Sequence, residues 1–134
     1  MAKVPHMDPV GSVGLLVLRL VSGGAMLFAH GWPKLMKFFG EGPVKFADPL
    51  GLGAVSSLAL ATFAELLCAG MLVVGVWTRW AAIPLIVTMA VAVFIVHLND
   101  PFSKQELPLM YLSAYIVLLL AGPGKYSLDY LIKK

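Results

Sequence analysis

WAAIPLIVTMAVAVFIVHL, residues Trp80 to Leu98, runs for nineteen residues without a charge. A bilayer core takes about 20 apolar residues to cross as a helix. Lipid offers no partner for free amides, so such a stretch must bond its backbone internally. The period-2 alternation of a strand is absent. Working outward, three further apolar stretches share this character. Val10 to His30 is interrupted only by Arg19, and Leu50 to Trp77 contains Glu65. Leu107 to Ala121 is shorter, and must either tilt little or recruit Phe102 to Glu106. The sequence therefore predicts an all-α protein: a four-helix transmembrane up-down bundle with helices over about residues 10–31, 50–77, 80–98 and 107–121.

Bulk composition agrees. Of 134 residues 60% are apolar and 13% charged, against about 25% charged in a soluble domain, and mean hydropathy is +0.89. One domain, residues 1–134, fits the length. The net charge of +3 is scattered, with no basic run among aromatics, which excludes a nucleic-acid surface. Cys68 is the single cysteine and has no internal partner. Met1 to Pro9 lacks the basic start and short apolar core of a secretory signal, so the first apolar stretch is expected to be retained.

Punctuation between the segments supports the count. Pro33 in Gly31-Trp32-Pro33 has no amide to give a helix and should end or kink the first one. Residues 39–53 hold Gly40, Gly42, Pro43, Pro49, Gly51 and Gly53 and read as a loop, in part re-entrant. Thr78-Arg79 reads as a tight turn, Asn99-Asp100-Pro101 as the stop of helix three, and Gly122-Pro123-Gly124 as the stop of helix four. Trp32, Trp77, Trp80, Tyr126 and Tyr130 fall near helix ends, where aromatic belts form. Lys3, Arg79, Lys125, Lys133 and Lys134 share one side; Lys34, Lys37, Lys45 and Lys104 share the other. Five cations against four lean towards cytoplasmic termini by the positive-inside rule.

Ionisable groups inside a bilayer are costly and point to function. Arg19 lies roughly 10 Å from the start of helix one, and Glu65 roughly 16 Å from the end of helix two on that same side, at 1.5 Å per residue. An Arg19–Glu65 pair is the expected way to offset both desolvation costs, either fixing register or serving binding and proton handling. Arg19 and His30 are eleven residues apart, within ~20° of one helix face, with Gly23 leaving room between them. Topology brings His30, His97 and Glu106 to one end of the bundle, with Lys34 and Asp100 close by. A single His there is an ordinary solvated helix end; two with a carboxylate suggest a pocket. No H-x-x-H or H-E-x-x-H spacing supports a metal. Tyr111 and Tyr115, four apart, either present hydroxyls inward or simply pack. Both helix one and helix three end in a His, too thin a match to read as a duplication.

Leu18-Arg19-Leu20, Phe28-Ala29-His30-Gly31 with Lys34, Ala64-Glu65-Leu66-Leu67 with Gly70 and Gly75, Thr78-Arg79, His97, Glu106 and Gly122-Pro123-Gly124-Lys125-Tyr126-Ser127-Leu128-Asp129 occur in an order that resembles the DoxX family of small bacterial membrane proteins. The resemblance spans about residues 12–130. It implies a four-helix membrane fold similar to the DoxD subunit of thiosulfate:quinone oxidoreductase, with sulfur, quinone or redox-stress chemistry. This chain carries no nucleotide-binding, haem-attachment or Cys-x-x-Cys signature, so its electron carrier would be a bound quinone or belong to a partner.

The resulting expectation is a redox-associated protein of the bacterial inner membrane that holds a quinone or similar lipophilic compound. Arg19, Glu65, Lys34 and Tyr111 would bind it, and His30, His97 and Glu106 would hydrogen-bond it or shuttle protons at the mouth. Other expectations are a non-catalytic anchor or assembly partner for a soluble redox enzyme, and a small transporter. A homo-oligomer is compatible with either.

Overall fold

The computed structural model describes residues 8–40, 42–46 and 48–133; Lys3, His6 and Lys134 lie outside the described residues. Among those described there are helices and no strands. Three helices are long and apolar enough to cross a membrane: α1, Pro9–Phe39; α2, Ala54–Val74; and α3, Thr78–Val96. α4, Phe102–Ala121, is 20 residues long, and Lys104, Gln105 and Glu106 make its first turns polar. A short α5, Leu128–Lys133, follows. α1 and α2 are antiparallel: the start of α1 packs on the end of α2, and Trp32–Met36 packs on Ala54–Thr62. α3 and α4 also pack extensively on each other.

Local chemistry explains most helix ends. Asp8 accepts the Gly11 amide at 2.9 Å and Pro9 occupies the first turn, both favourable at a helix start. Pro33, expected to end or kink α1, does not end it; the helix runs on to Phe39. The reason is a π-turn over Leu27–Gly31, where the Trp32 amide bonds the Leu27 carbonyl five residues back. That wider turn relieves the clash a proline makes with the carbonyl four residues before it. Further π-turns span Phe63–Cys68 in α2 and Ala92–Val96 in α3.

α2 begins at Ala54 rather than near residue 50, because Asp48 holds the preceding loop as a cap. Its carboxylate accepts the amides of Leu52 and Gly53 at 2.8 and 2.9 Å and the Ser57 hydroxyl at 2.9 Å. The reversal between α2 and α3 uses Gly75 (φ 78°) and Trp77 (φ 47°), both left-handed. Thr78 and Arg79, read from sequence as the turn, are the first residues of α3.

Side chains sort as a lipid environment requires. Met26, Leu58, Leu72, Leu85 and Leu118 are buried between helices, whereas Val21, Leu67, Phe94 and Leu120 face outward. Lipid tails are as apolar as leucine, so close packing and hydrogen bonds must supply the association. Gly23 is one such contact. A Cβ there would stand 3.0 Å from the Ala69 carbonyl oxygen, so it seats α1 on α2 and leaves no room for a ligand.

Candidate functional site

Arg19 and Glu65 do not pair. Arg19 is wholly buried, and its guanidinium donates to the carbonyls of Leu72 at 3.0 Å, Val73 at 3.2 Å and Tyr126. These close the C-terminus of α2, where orphan carbonyls and the helix dipole favour a cation. On the far side of the same turn Asp129 accepts the Trp77 amide at 2.7 Å and the Thr78 amide at 2.9 Å, and its own amide donates to Gly75. The reversal is thus clamped from both sides, carbonyls by Arg19 and amides by Asp129. The physical reason is directional. Helix side chains lean towards their own N-terminus. In antiparallel α1 and α2, Arg19 therefore leans towards the end carrying residue 8, and Glu65 towards the opposite end.

At that opposite end Glu65 meets Lys34, Nζ to Oε1 2.8 Å, with the two side chains 19% and 3% exposed respectively. Both are set by π-turns. Gly31 closes one and lies so near the other that a Cβ would fall 2.3 Å from the Glu65 carbonyl oxygen. The pair lies on the wall of an open cavity of about 860 Å³ lined by the four long helices and the loop before α2. Beside it, the His30 and Tyr111 rings meet edge to face, 5.6 Å between centroids, and Tyr111 stacks on Tyr115 at 6.0 Å. Tyr115 points away from the site and donates to the Ser22 carbonyl at 3.0 Å. Apolar side chains such as Met26, Met89, Val87 and Leu107 make up most of the rest.

Of the residues singled out from sequence, His30, Lys34, Glu65, His97 and Tyr111 line this cavity, and Arg19 and Glu106 do not. Glu106 is exposed on the first turns of α4. His97 sits at the end of α3, its Nδ1 2.8 Å from the Asp100 carboxylate. The register argument joining Arg19 to His30 fails because the π-turn starting at Leu27 intervenes. Sequence reading missed Phe46, Thr88, Ser103 and Lys104 on the lining, and also Pro84 and Pro108. Each proline leaves one carbonyl of its helix without an amide partner; the prolines inside α3 and α4 were the available signal.

Residues 14–98 match the family model named DoxX. The chain belongs to the DoxX family. A Haemophilus influenzae protein described as an uncharacterized protein is 33% identical, over 96% of this chain and 89% of the relative. A second from that organism is 30% identical over 86% and 87%. A Mycobacterium tuberculosis protein described as an uncharacterized membrane protein is 29% identical over 92% and 84%. No solved structure matches. In this DoxX protein Arg19 and the stretch Gly122 to Asp129 together supply the clamp, and the stretches around His30 and Glu65 supply the two touching π-turns.

The loop roofing the cavity depends on Asp48. The Ser57 hydroxyl first, then the loop amides, hold its carboxyl below the ordinary 3.8. A depressed folded value means the cap is intact above the ordinary range and is lost as pH falls through the folded value. The amide resonances of Leu52 and Gly53 should therefore shift together as pH falls, with a shared midpoint below the ordinary 3.8. A midpoint at or above that pH would show that Asp48 does not fasten the loop.

Proposed function

We propose that this DoxX-family protein binds a membrane-soluble redox compound of quinone type in the cavity. We place it in a bacterial plasma membrane, with α4 crossing alongside α1, α2 and α3 and the termini on the cytoplasmic side. The observation that carries the reading is one ion pair, Lys34–Glu65, on the wall of a largely apolar cavity. A buried pair adds little net stability over apolar packing, and ionisable groups at membrane depth mark ligand and proton paths. A cavity of about 860 Å³ falls within the roughly 300–1,000 Å³ usual for small-molecule sites.

The residues suit the compound's head. Lys34 offers a fixed cation and the Tyr111 hydroxyl a donor to ring oxygens, a role Lys34 fills in place of Arg19. His30, edge-on to Tyr111, can accept and return a proton through its two ring nitrogens. Glu65 holds Lys34 in position. When bound, the quinone supplies reversible uptake of electrons and protons; the electrons come from a separate oxidoreductase.

Short-chain ubiquinone and menaquinone analogues, titrated against protein in phospholipid nanodiscs, test this. Binding should saturate in the wild type and weaken roughly tenfold, about 1.4 kcal/mol, in Lys34→Met and in Tyr111→Phe. Ser113→Ala, on an exposed part of α4, should match the wild type. Identical unsaturable partitioning in every sample removes the proposal.

A further inference from the structure

We propose that the ligand enters the cavity sideways from the bilayer, through a slot between α2 and α3 in which its hydrocarbon chain stays; this rests on the quinone-type reading. α2 and α3 pack together near their turn, and the π-turn of α2 still touches α3, but Ala54–Thr62 packs chiefly on α1 instead. The two helices therefore diverge towards the Lys34 end. Leu60 and Phe63 of α2 and Ile83 and Val87 of α3 line the cavity and are 41–56% exposed. These side chains are accessible rather than sealed between the helices, as a gap leading from the polar wall to the membrane between α2 and α3 requires.

The aqueous end is built differently. Phe46, Pro49, Leu50 and Leu52 of the Asp48-fastened loop roof it with apolar side chains. A compound dissolved in lipid gains nothing by passing through water to reach such a roof. Through the slot, by contrast, its head can reach Lys34 while its chain stays among lipid tails. Moving a chain between lipid and an apolar slot changes little in free energy. The head then decides affinity, and the slot decides which molecules have access. The fitting class is a single-chain amphiphile with a compact hydrogen-bonding head.

Blocking the slot after folding tests this directly. Val87→Cys in a Cys68→Ala background is purified, placed in nanodiscs and reacted with a bulky maleimide. Binding of a decyl-substituted quinone and of the same ring without a chain is measured before and after reaction. The inference expects the decyl compound to lose at least tenfold in affinity on labelling, with the chain-free ring within threefold of its starting value. Equal effects on the two compounds, whether none or complete loss, overturn the slot. Absence of saturable binding of either compound to the wild-type protein overturns the site reading, and the slot with it.

Discussion

Replacing Arg19 with methionine lowers stability by about 3–5 kcal/mol, the range for breaking a buried charged network by removing one partner. Three carbonyls lose their donor at once: Leu72, Val73 and Tyr126. An unsatisfied buried acceptor costs about 1–3 kcal/mol, and the site is wholly buried, so water does not simply replace the guanidinium. Asp129 also loses the opposite charge acting across the turn. Asp129→Asn should cost less, because an amide oxygen can still accept one of the two backbone amides. The double variant should be markedly less than additive, since both residues hold one reversal. Reversible unfolding by denaturing detergent measures all three. A cost under about 1 kcal/mol for Arg19→Met, or strict additivity, would contradict the clamp.

The second large effect falls on Gly31. A Cβ there meets the Glu65 carbonyl oxygen at 2.3 Å and its carbon at 2.6 Å, backbone atoms that cannot rotate aside. Gly31→Ala must push α1 and α2 apart, at or above the upper end of the roughly 1–3 kcal/mol usual for overpacking. It also separates the π-turns that bring Lys34 to Glu65, so ligand binding should fall with stability. Gly24→Ala and Gly70→Ala provide the contrast, with nothing within 4 Å of either added Cβ. At those positions alanine should be neutral or stabilise by up to about 1 kcal/mol, from helix propensity alone. Should Gly31→Ala behave like the other two, the close approach at the site is wrong.

How much of this was legible beforehand differs between the helices and the site. Composition and the run from Trp80 to Leu98 made membrane helices readable, because lipid imposes one rule on every apolar segment. Parity placed the Lys34 and His97 positions at the end opposite residue 8. Arg19 and Glu65 could be flagged as costly, but were paired with each other instead of with their actual partners. Depth was counted along helix axes, and the opposite lean of side chains in antiparallel helices sends the two groups apart. Arg19 is satisfied by carbonyls, which every residue carries and no sequence pattern distinguishes. The π-turns were invisible for a similar reason: one extra residue per turn leaves no compositional mark. Pro33 was the available hint, and it was read as a stop or kink instead of as a residue a widened turn can carry.

The most direct measurement is a carbon–nitrogen distance by solid-state NMR in lipid bilayers, between a quinone labelled with carbon-13 at its ring carbonyls and nitrogen-15 lysine in the protein. Bound in the cavity beside Lys34, the carbonyl signal should shift from that of the lipid-dissolved compound and dephase through the lysine nitrogen. Lys34→Met should abolish that dephasing while the other lysines remain labelled. A carbonyl signal identical to the lipid-dissolved compound, with no dephasing in the wild type, would contradict a ligand head at the Lys34–Glu65 wall.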